Sequence, residues 1–227
     1  MSFFATVVTD EWGTSYALTP AGYATIIILF LLCLLLASMG VKEKSADQRF
    51  NTRKLVFSSM AIALAVVTSL LKLFHLPMGG SITLFSMLFV CLAGYWYGLK
   101  TGLMASLAYG FLQLAIDPYI ISLPQMFVDY IFAFGALGLS GLFSKSNHGL
   151  IKGYLTGVLG RYFFAFLSGM IFFGSYAADY NMAAPIYSLA YNGIYLGAEA
   201  FLTLILIALP PVHAALARVK VMALSES

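Results

Sequence analysis

Residues 119–143 read YIISLPQMFVDYIFAFGALGLSGLF, and this stretch decides the class of the molecule. Past Pro124 it is apolar for about the 20 residues that a bilayer-spanning helix requires, yet it carries Asp129 early in the span. A carboxylate in hydrocarbon is costly unless it faces a partner, water or a ligand, so Asp129 marks the inside of a helix bundle and a functional position. Two more ionisable residues stand in the same setting, Arg161 in LGRYFFAFLSGMIFFGSY and Glu199 in YLGAEAFLTLIL. A buried acid and a buried base in one small protein point to a solute site, with a purely structural ion pair as the alternative.

The composition agrees. Of 227 residues, 61% are hydrophobic and only 9% charged, with 19 Phe and 14 Tyr. That leaves too little polar surface to clothe a soluble domain, and the chain reads as an all-α integral membrane protein. Cys33 and Cys91 lie in apolar runs with no His or second Cys at ligand spacing, so neither a metal site nor a disulfide is expected. The formal charge of +3 is a topology signal rather than a sign of nucleic-acid binding.

Stepping a bilayer's thickness along the chain gives a first span near 21–39, closed by the charged run VKEKSADQRFNTRK. Six more spans follow near 54–73, 82–98, 101–116, 124–143, 149–174 and 185–209, separated by Gly and Pro. The segment before the first span carries Asp10 and Glu11 and no Lys or Arg, the reverse of a secretory signal, so this span is expected to be a retained anchor. Basic residues fall in alternate loops: Lys42, Lys44, Arg49, Arg53 and Lys54, then Lys100, then Lys145 and Lys152, then Arg218 and Lys220. Positive charge favours the cytoplasm, which gives seven spans with the N-terminus outside and the C-terminus inside. Lys72 is expected to snorkel from the outer end of its helix. The organisation expected is an external segment and extra helix over 1–40, a charged cytoplasmic linker over 41–53, a six-helix substrate-binding membrane domain over 54–212 and a cytoplasmic tail over 213–227.

On this topology Asp129 and Arg161 both occupy the outer half of the membrane, with Tyr130, Phe173, Tyr176, Tyr187, Tyr191 and Asn192 at the outer ends of neighbouring spans. Aromatic faces with one carboxylate, one guanidinium and one amide suit a flat, nitrogen-rich, cationic solute. The alternative is an interfacial aromatic belt. Glu199 fits a helix–helix hydrogen bond or a ligand contact equally well. His75, His148 and His213 fall at span ends or in a loop and are read as solvated. In SSMAIALA, residues 58–65, Ser59 and Ala63 stand four apart, as do Ala61 and Ala65, a spacing that permits close helix approach.

The stretches YIISLPQMFVDYIFAFGALGLSGLF, GRYFFAFLSGMIFFGSYA and IYSLAYNG, in that order, resemble the thiamin-specific S-component of energy-coupling factor (ECF) vitamin transporters, and PMGGSITLF resembles the Bacillus-type variant. The resemblance covers about residues 54–209 and leaves the N-terminal span outside. It implies a six-helix subunit of the bacterial cell membrane that captures thiamin from outside and needs no cofactor. It further implies association with a transmembrane coupling protein and two ABC-type ATPases through the small-residue face at Ser59 and Ala63. The family's acidic pocket residue falls on Asp129, its basic residue on Arg161, its Tyr and Asn on Tyr187 and Asn192, and its stacking aromatic on Phe173; Tyr130 and Gly169 also agree. Ala165 replaces a common His, and Gly79 and Gly80 stand where a loop Trp is usual. A related aminopyrimidine or another small vitamin is the alternative ligand.

The chain carries no G-x-x-x-x-G-K-[ST] loop, so ATP hydrolysis would belong to partners. An intramembrane protease would need H-E-x-x-H or a second well-placed Asp. A free-standing proton-coupled carrier, titrating Asp129 and Glu199, and a purely structural subunit complete the alternatives.

Overall fold

A computed structural model describes residues 5–10, 13–25, 28, 52–76 and 79–225. All but the opening of the expected first span, residues 41–51 of the charged linker, and Cys33 lie outside the described residues. The opening of that span follows from local chemistry. Gly22 N–H donates to Thr19 Oγ1 at 3.2 Å, and Pro20 takes the first helical position, where a missing N–H costs nothing. Before it, β1 (Ala5–Asp10) and β2 (Gly13–Leu18) pair antiparallel, with Ala5 opposite Leu18. This hairpin is additional to the sequence-based expectation.

Six helices form the body, one for each of the last six expected spans: α1 Thr52–Leu70, α2 Ser86–Tyr97, α3 Leu99–Ile116, α4 Leu123–Phe143, α5 Gly149–Phe172 and α6 Ala184–Ala208. All but α2 are long and apolar enough to cross a bilayer, which makes this a multi-pass helical membrane protein. Helix α2 has 12 residues and rises about 18 Å. It can be short because it is the central helix: Met87, Val90, Cys91 and Ala93 are fully buried, and lipid does not set its length.

Two boundaries differ from expectation. Helix α1 stops at Leu70 rather than near 73, and Lys72 opens strand β3 (Lys72–His75), which pairs with β4 (Ser81–Thr83). Lys72 therefore does not snorkel from a helix end but forms an ion pair with Asp117 at the end of α3. Helix α2 starts at Ser86, because residues 81–83 serve the hairpin. Beyond α6, residues Pro210–Leu224 form a further helix, α7, which starts at the end of the expected membrane domain and runs through most of the stretch expected as a tail.

Helix α4 is not uniform. Phe127–Ala133 is wound as a π-helix and Leu137–Phe143 as a 3₁₀-helix. At three residues per turn, Gly138 and Gly141 stack on one face. A Cβ on Gly138 would run into the backbone of Gly102 and Leu103, and one on Gly141 into Gly98 and Leu99, so this pitch brings α4 and α3 into backbone contact.

The two ends of the bundle are chemically distinct. At one, Arg53 bonds Ser225, Tyr97 Oη donates to Ala223 O at 3.1 Å, and Lys220 Nζ donates to Ser144 O at 2.7 Å, so α7 folds beneath α1, α2 and α4. This is the end at which Lys100, Lys145 and Lys152 also lie, in the first turns of helices or the connections between them. At the other end lie the Lys72–Asp117 pair, the β3–β4 hairpin and Leu18, which packs beside Leu114, Ile120 and Tyr130.

The two small-residue pairs of α1 part company. Ala61 and Ala65 are buried in the core, whereas Ser59 and Ala63 are exposed on the outer face. His75, His148 and His213 are exposed, as expected.

Candidate ligand-binding site

The end carrying Lys72 and Asp117 holds two adjoining cavities. The larger, about 150 Å³, is lined by polar groups that include Ser69, Gln113, Asp129 and Arg161, with Tyr109, Tyr130 and Tyr195 among its rings. The smaller, about 40 Å³, is a slot between α5 and α6 lined by Asp129, Ala165, Ser168, Gly169, Phe173, Tyr187, Ser188, Tyr191 and Asn192. Asp129, Ala165 and Tyr191 face both. Of the nine pocket residues read from the sequence, eight line this composite site: Tyr130 and Arg161 in the chamber, Gly169, Phe173, Tyr187 and Asn192 in the slot, and Asp129 and Tyr191 at their junction; Tyr176 lines neither cavity and stacks on Phe173.

Asp129 and Arg161 share the chamber but do not form a direct ion pair; among the described residues the ion pair within 4 Å is Lys72–Asp117. The Arg161 guanidinium instead lies over the Phe134 ring, 4.2 Å from its centroid. Such a contact offsets part of the cost of a cation in a dry bundle without neutralising it. A solute can therefore stand between the two charges.

Asp129 is aimed by its neighbours. It sits in the π-helical part of α4, where the wider turn displaces side chains from α-helical directions. Gln125, one turn before it and 1% exposed, donates to Asp129 Oδ2 at 2.6 Å and to Tyr119 O at 3.1 Å, and accepts from Ile121 N–H at 3.1 Å. The carboxylate is thereby tied to the loop 117–122. Tyr130 Oη accepts from Tyr119 N–H at 2.7 Å and donates to Asp117 O at 3.0 Å, fixing the same loop from the other side.

Asn192 lines the slot, but its amide is engaged by the protein. Nδ2 donates to Ala165 O at 3.2 Å and Ser188 O at 2.9 Å, and Oδ1 accepts from Tyr195 Oη at 2.9 Å. It staples α6 to α5. Gly169 is required at this crossing, since a Cβ there would collide with Ser188 Oγ, itself bonded to Phe166 O at 2.7 Å.

The rings form two stacks. Tyr187 lies between Tyr180 and Tyr191, with centroids 5.3 Å and 5.9 Å away and interplanar angles of 26° and 27°. Phe173 lies between Tyr119 and Tyr176, at 6.1 Å and 6.3 Å. Gly79 and Gly80 are covered by rings from elsewhere. A Cβ on Gly79 would meet the Tyr119 ring, and one on Gly80 would collide with Tyr191 Oη, which accepts from Gly80 N–H at 2.9 Å. Tyr119 and Tyr191 thus supply aromatic surface where the loop itself has none.

Glu199 is outside both cavities. It is 2% exposed and accepts from Thr83 Oγ1 at 2.6 Å, Ser86 Oγ at 3.1 Å and Met87 N–H at 3.0 Å. Phe85, the residue before α2, has φ 64° and gives no side-chain cap, so Glu199 supplies from α6 the acceptor that the start of α2 lacks. Of the two roles open to it in the sequence, the structure supports the structural one.

Sequence reasoning missed Gln125, Ser168 and Ser188, and did not assign Tyr119 to the site. Gln125 had one usable signal, its place four residues before Asp129 on a helix. Ser168 and Ser188 had none, because small polar residues in membrane helices most often bond their own backbone.

Comparison with known proteins bears on the whole six-helix body. A family model described as thiamine transporter protein matches residues 55–218. The thiamine transporter ThiT of Bacillus subtilis (strain 168) is 32% identical, over 62% of this chain and 79% of its own. A solved structure of ThiT from Listeria monocytogenes superposes with a TM-score of 0.58 at 26% identity, covering 70% of this chain and 94% of that one. With the match running from α1 into α7 and taking in every residue that lines the slot, the chain belongs to the thiamine transporter protein family.

Proposed function

We propose that this protein captures thiamin from outside the bacterial cell and admits it as the S-component of an ECF-type ABC transporter. The observation that carries the reading is the placement of the Asp129 carboxylate and the Arg161 guanidinium in one chamber that opens into a slot walled by Phe173, Tyr187 and Tyr191. Thiamin is a flat aminopyrimidine joined to a permanently cationic thiazolium. Asp129 supplies the acceptor and counter-charge, Arg161 donates to the solute or holds the carboxylate's field in balance, and Phe173 with Tyr187 provides ring faces, Gly169 the close approach and Asn192 the fixed crossing of the helices. Tyr130 holds the loop that closes the chamber.

Energy in this reading comes from partners: a transmembrane coupling protein with two ABC-type ATPases, docked on the exposed Ser59–Ala63 face of α1. Residues 1–40 anchor the N-terminus, residues 54–212 bind the vitamin, and the basic end with α7 faces the cytoplasm.

The test is a titration of purified protein with a vitamin panel, read by Trp and Tyr fluorescence. Thiamin is expected to bind tightly, and Asp129→Asn to bind at least about tenfold more weakly, about 1.4 kcal/mol, with unchanged melting behaviour. Unchanged affinity in that variant removes Asp129 from the site. Uptake that persists in a host without the coupling ATPases would favour a self-sufficient carrier.

A further inference from the structure

The slot contains a hydroxyl with no protein partner. Ser168 is 1% exposed, and its Oγ is hydrogen-bonded to nothing in the protein. Serine and threonine within membrane helices ordinarily bond the carbonyl three or four residues back, and this chain follows the habit elsewhere. Thr68 donates to Leu64 O at 2.7 Å, Ser69 to Val66 O at 2.7 Å, Ser106 to Leu103 O at 3.0 Å and Thr156 to Lys152 O at 2.8 Å. Buried polar atoms without partners are costly and uncommon in folded proteins. Among the described residues, Ser58, Trp96, Tyr154 and Thr203 carry the others, and none of those lines either cavity.

The neighbours define what Ser168 faces. Gln125 holds Asp129 Oδ2, which leaves Asp129 Oδ1 without a protein donor among the described residues. The Ser168 hydroxyl lies close enough to that carboxylate to interact with it, although no hydrogen bond of ordinary geometry joins them and the hydroxyl is left to turn to a solute. Ser188 Oγ is bonded to Phe166 O, and Asn192 to Ala165, Ser188 and Tyr195. Ala165, one turn before Ser168, brings only a methyl group. The slot therefore offers a strong acceptor beside a donor that the protein does not engage.

We propose that Ser168 Oγ and the open oxygen of Asp129 together read an amidine-type edge, an exocyclic amino group next to an aromatic ring nitrogen. The carboxylate accepts from the amino group and Ser168 donates to the ring nitrogen. This makes Ser168 a specificity-determining residue for aminopyrimidines. The proposal rests on the reading of the site as a thiamin site and deepens it.

The experiment measures affinities of wild type and Ser168→Ala for thiamin and for its aminopyridine analogue, in which the ring nitrogen adjacent to the amino group is replaced by CH. Wild type is expected to prefer thiamin by about tenfold, the size of one buried hydrogen bond left unmade. Ser168→Ala is expected to lose about tenfold on thiamin and less than about twofold on the analogue, so that the preference disappears. A merely structural hydroxyl would weaken both ligands alike, and that result, or no change with either, overturns the proposal. Should Ser168→Ala fail to fold, Ser168→Thr carries the test: a retained preference supports the assignment and a lost one overturns it. Wild type that binds the analogue but not thiamin, or neither, overturns the thiamin reading itself and this proposal with it; thiamin binding without the coupling overturns this proposal alone.

Discussion

Glu199 gives the sharpest test of how function and support are divided in this bundle. Its Oε1 accepts from Ser86 Oγ and Met87 N–H, and its Oε2 accepts from Thr83 Oγ1. Replacement by Ala orphans the Met87 N–H at the start of a helix with no other cap, at about 1–3 kcal/mol. It also takes one partner from the hydroxyls of Thr83 and Ser86, which keep their bond to each other at 2.7 Å, and leaves a hole where the side chain stood. Together these give a loss of about 3–5 kcal/mol, the range seen when large buried side chains are cut to Ala. Replacement by Gln behaves differently. Its amide oxygen can take the place of Oε1 and serve both donors, while its NH₂ can take the place of Oε2 and donate to Thr83 Oγ1, so the loss is expected to stay below about 1.5 kcal/mol. The assay is unfolding in mixed detergent micelles, followed through Trp96, which sits in α2 with its ring 5.9 Å from Phe57. Thiamin affinity of the folded fraction should not change in either variant. A Glu199→Gln protein that folds normally yet loses tenfold or more in affinity or uptake would show that the charge matters to the solute, and the capping argument would fail.

Two further outcomes follow from the packing. Gly169→Ala forces a methyl against Ser188 Oγ and to 3.0 Å from Asn192 Nδ2, which pushes α5 from α6. It is expected to lower stability by about 1–3 kcal/mol, as overpacked sites do, and to weaken thiamin binding at least about tenfold in a fluorescence titration. Leu in place of Ser59 and of Ala63 alters only an exposed face of α1. Stability should remain within about 0.5 kcal/mol and thiamin binding unchanged, while, on the proposed docking, uptake in cells supplied with a coupling protein and its ATPases is abolished; normal uptake would overturn that docking face.

Much of the architecture could be read from hydropathy because a membrane imposes one length on apolar helices. The last six expected spans each correspond to a helix, with α3, α4, α5 and α6 placed within two residues at each end. The misses share a cause. The β3–β4 hairpin, the shortness of α2 and the π and 3₁₀ turns of α4 are set by tertiary contacts, and no pattern along the chain records them. Lys72 illustrates the point: hydropathy put it at a helix end, whereas its partner Asp117 lies on another segment. Charges in apolar runs were the best guide to the candidate site, since hydrocarbon makes each one stand out. They could not separate Asp129, which faces the cavities, from Glu199, which caps a helix. That difference depends on which donors the fold brings near.

The π-helical segment around Asp129 carries an evolutionary implication. Winding with an additional residue in a turn is most simply created or erased by a one-residue change in chain length. Erasing it would swing everything on one side by about 100° around the helix axis, the turn per residue of an α-helix. Asp129 would then face away from the slot without any substitution in its walls. Descendants of such a scaffold could acquire or lose a solute through single-codon deletions in this stretch, a route that comparisons of residue identity alone would overlook.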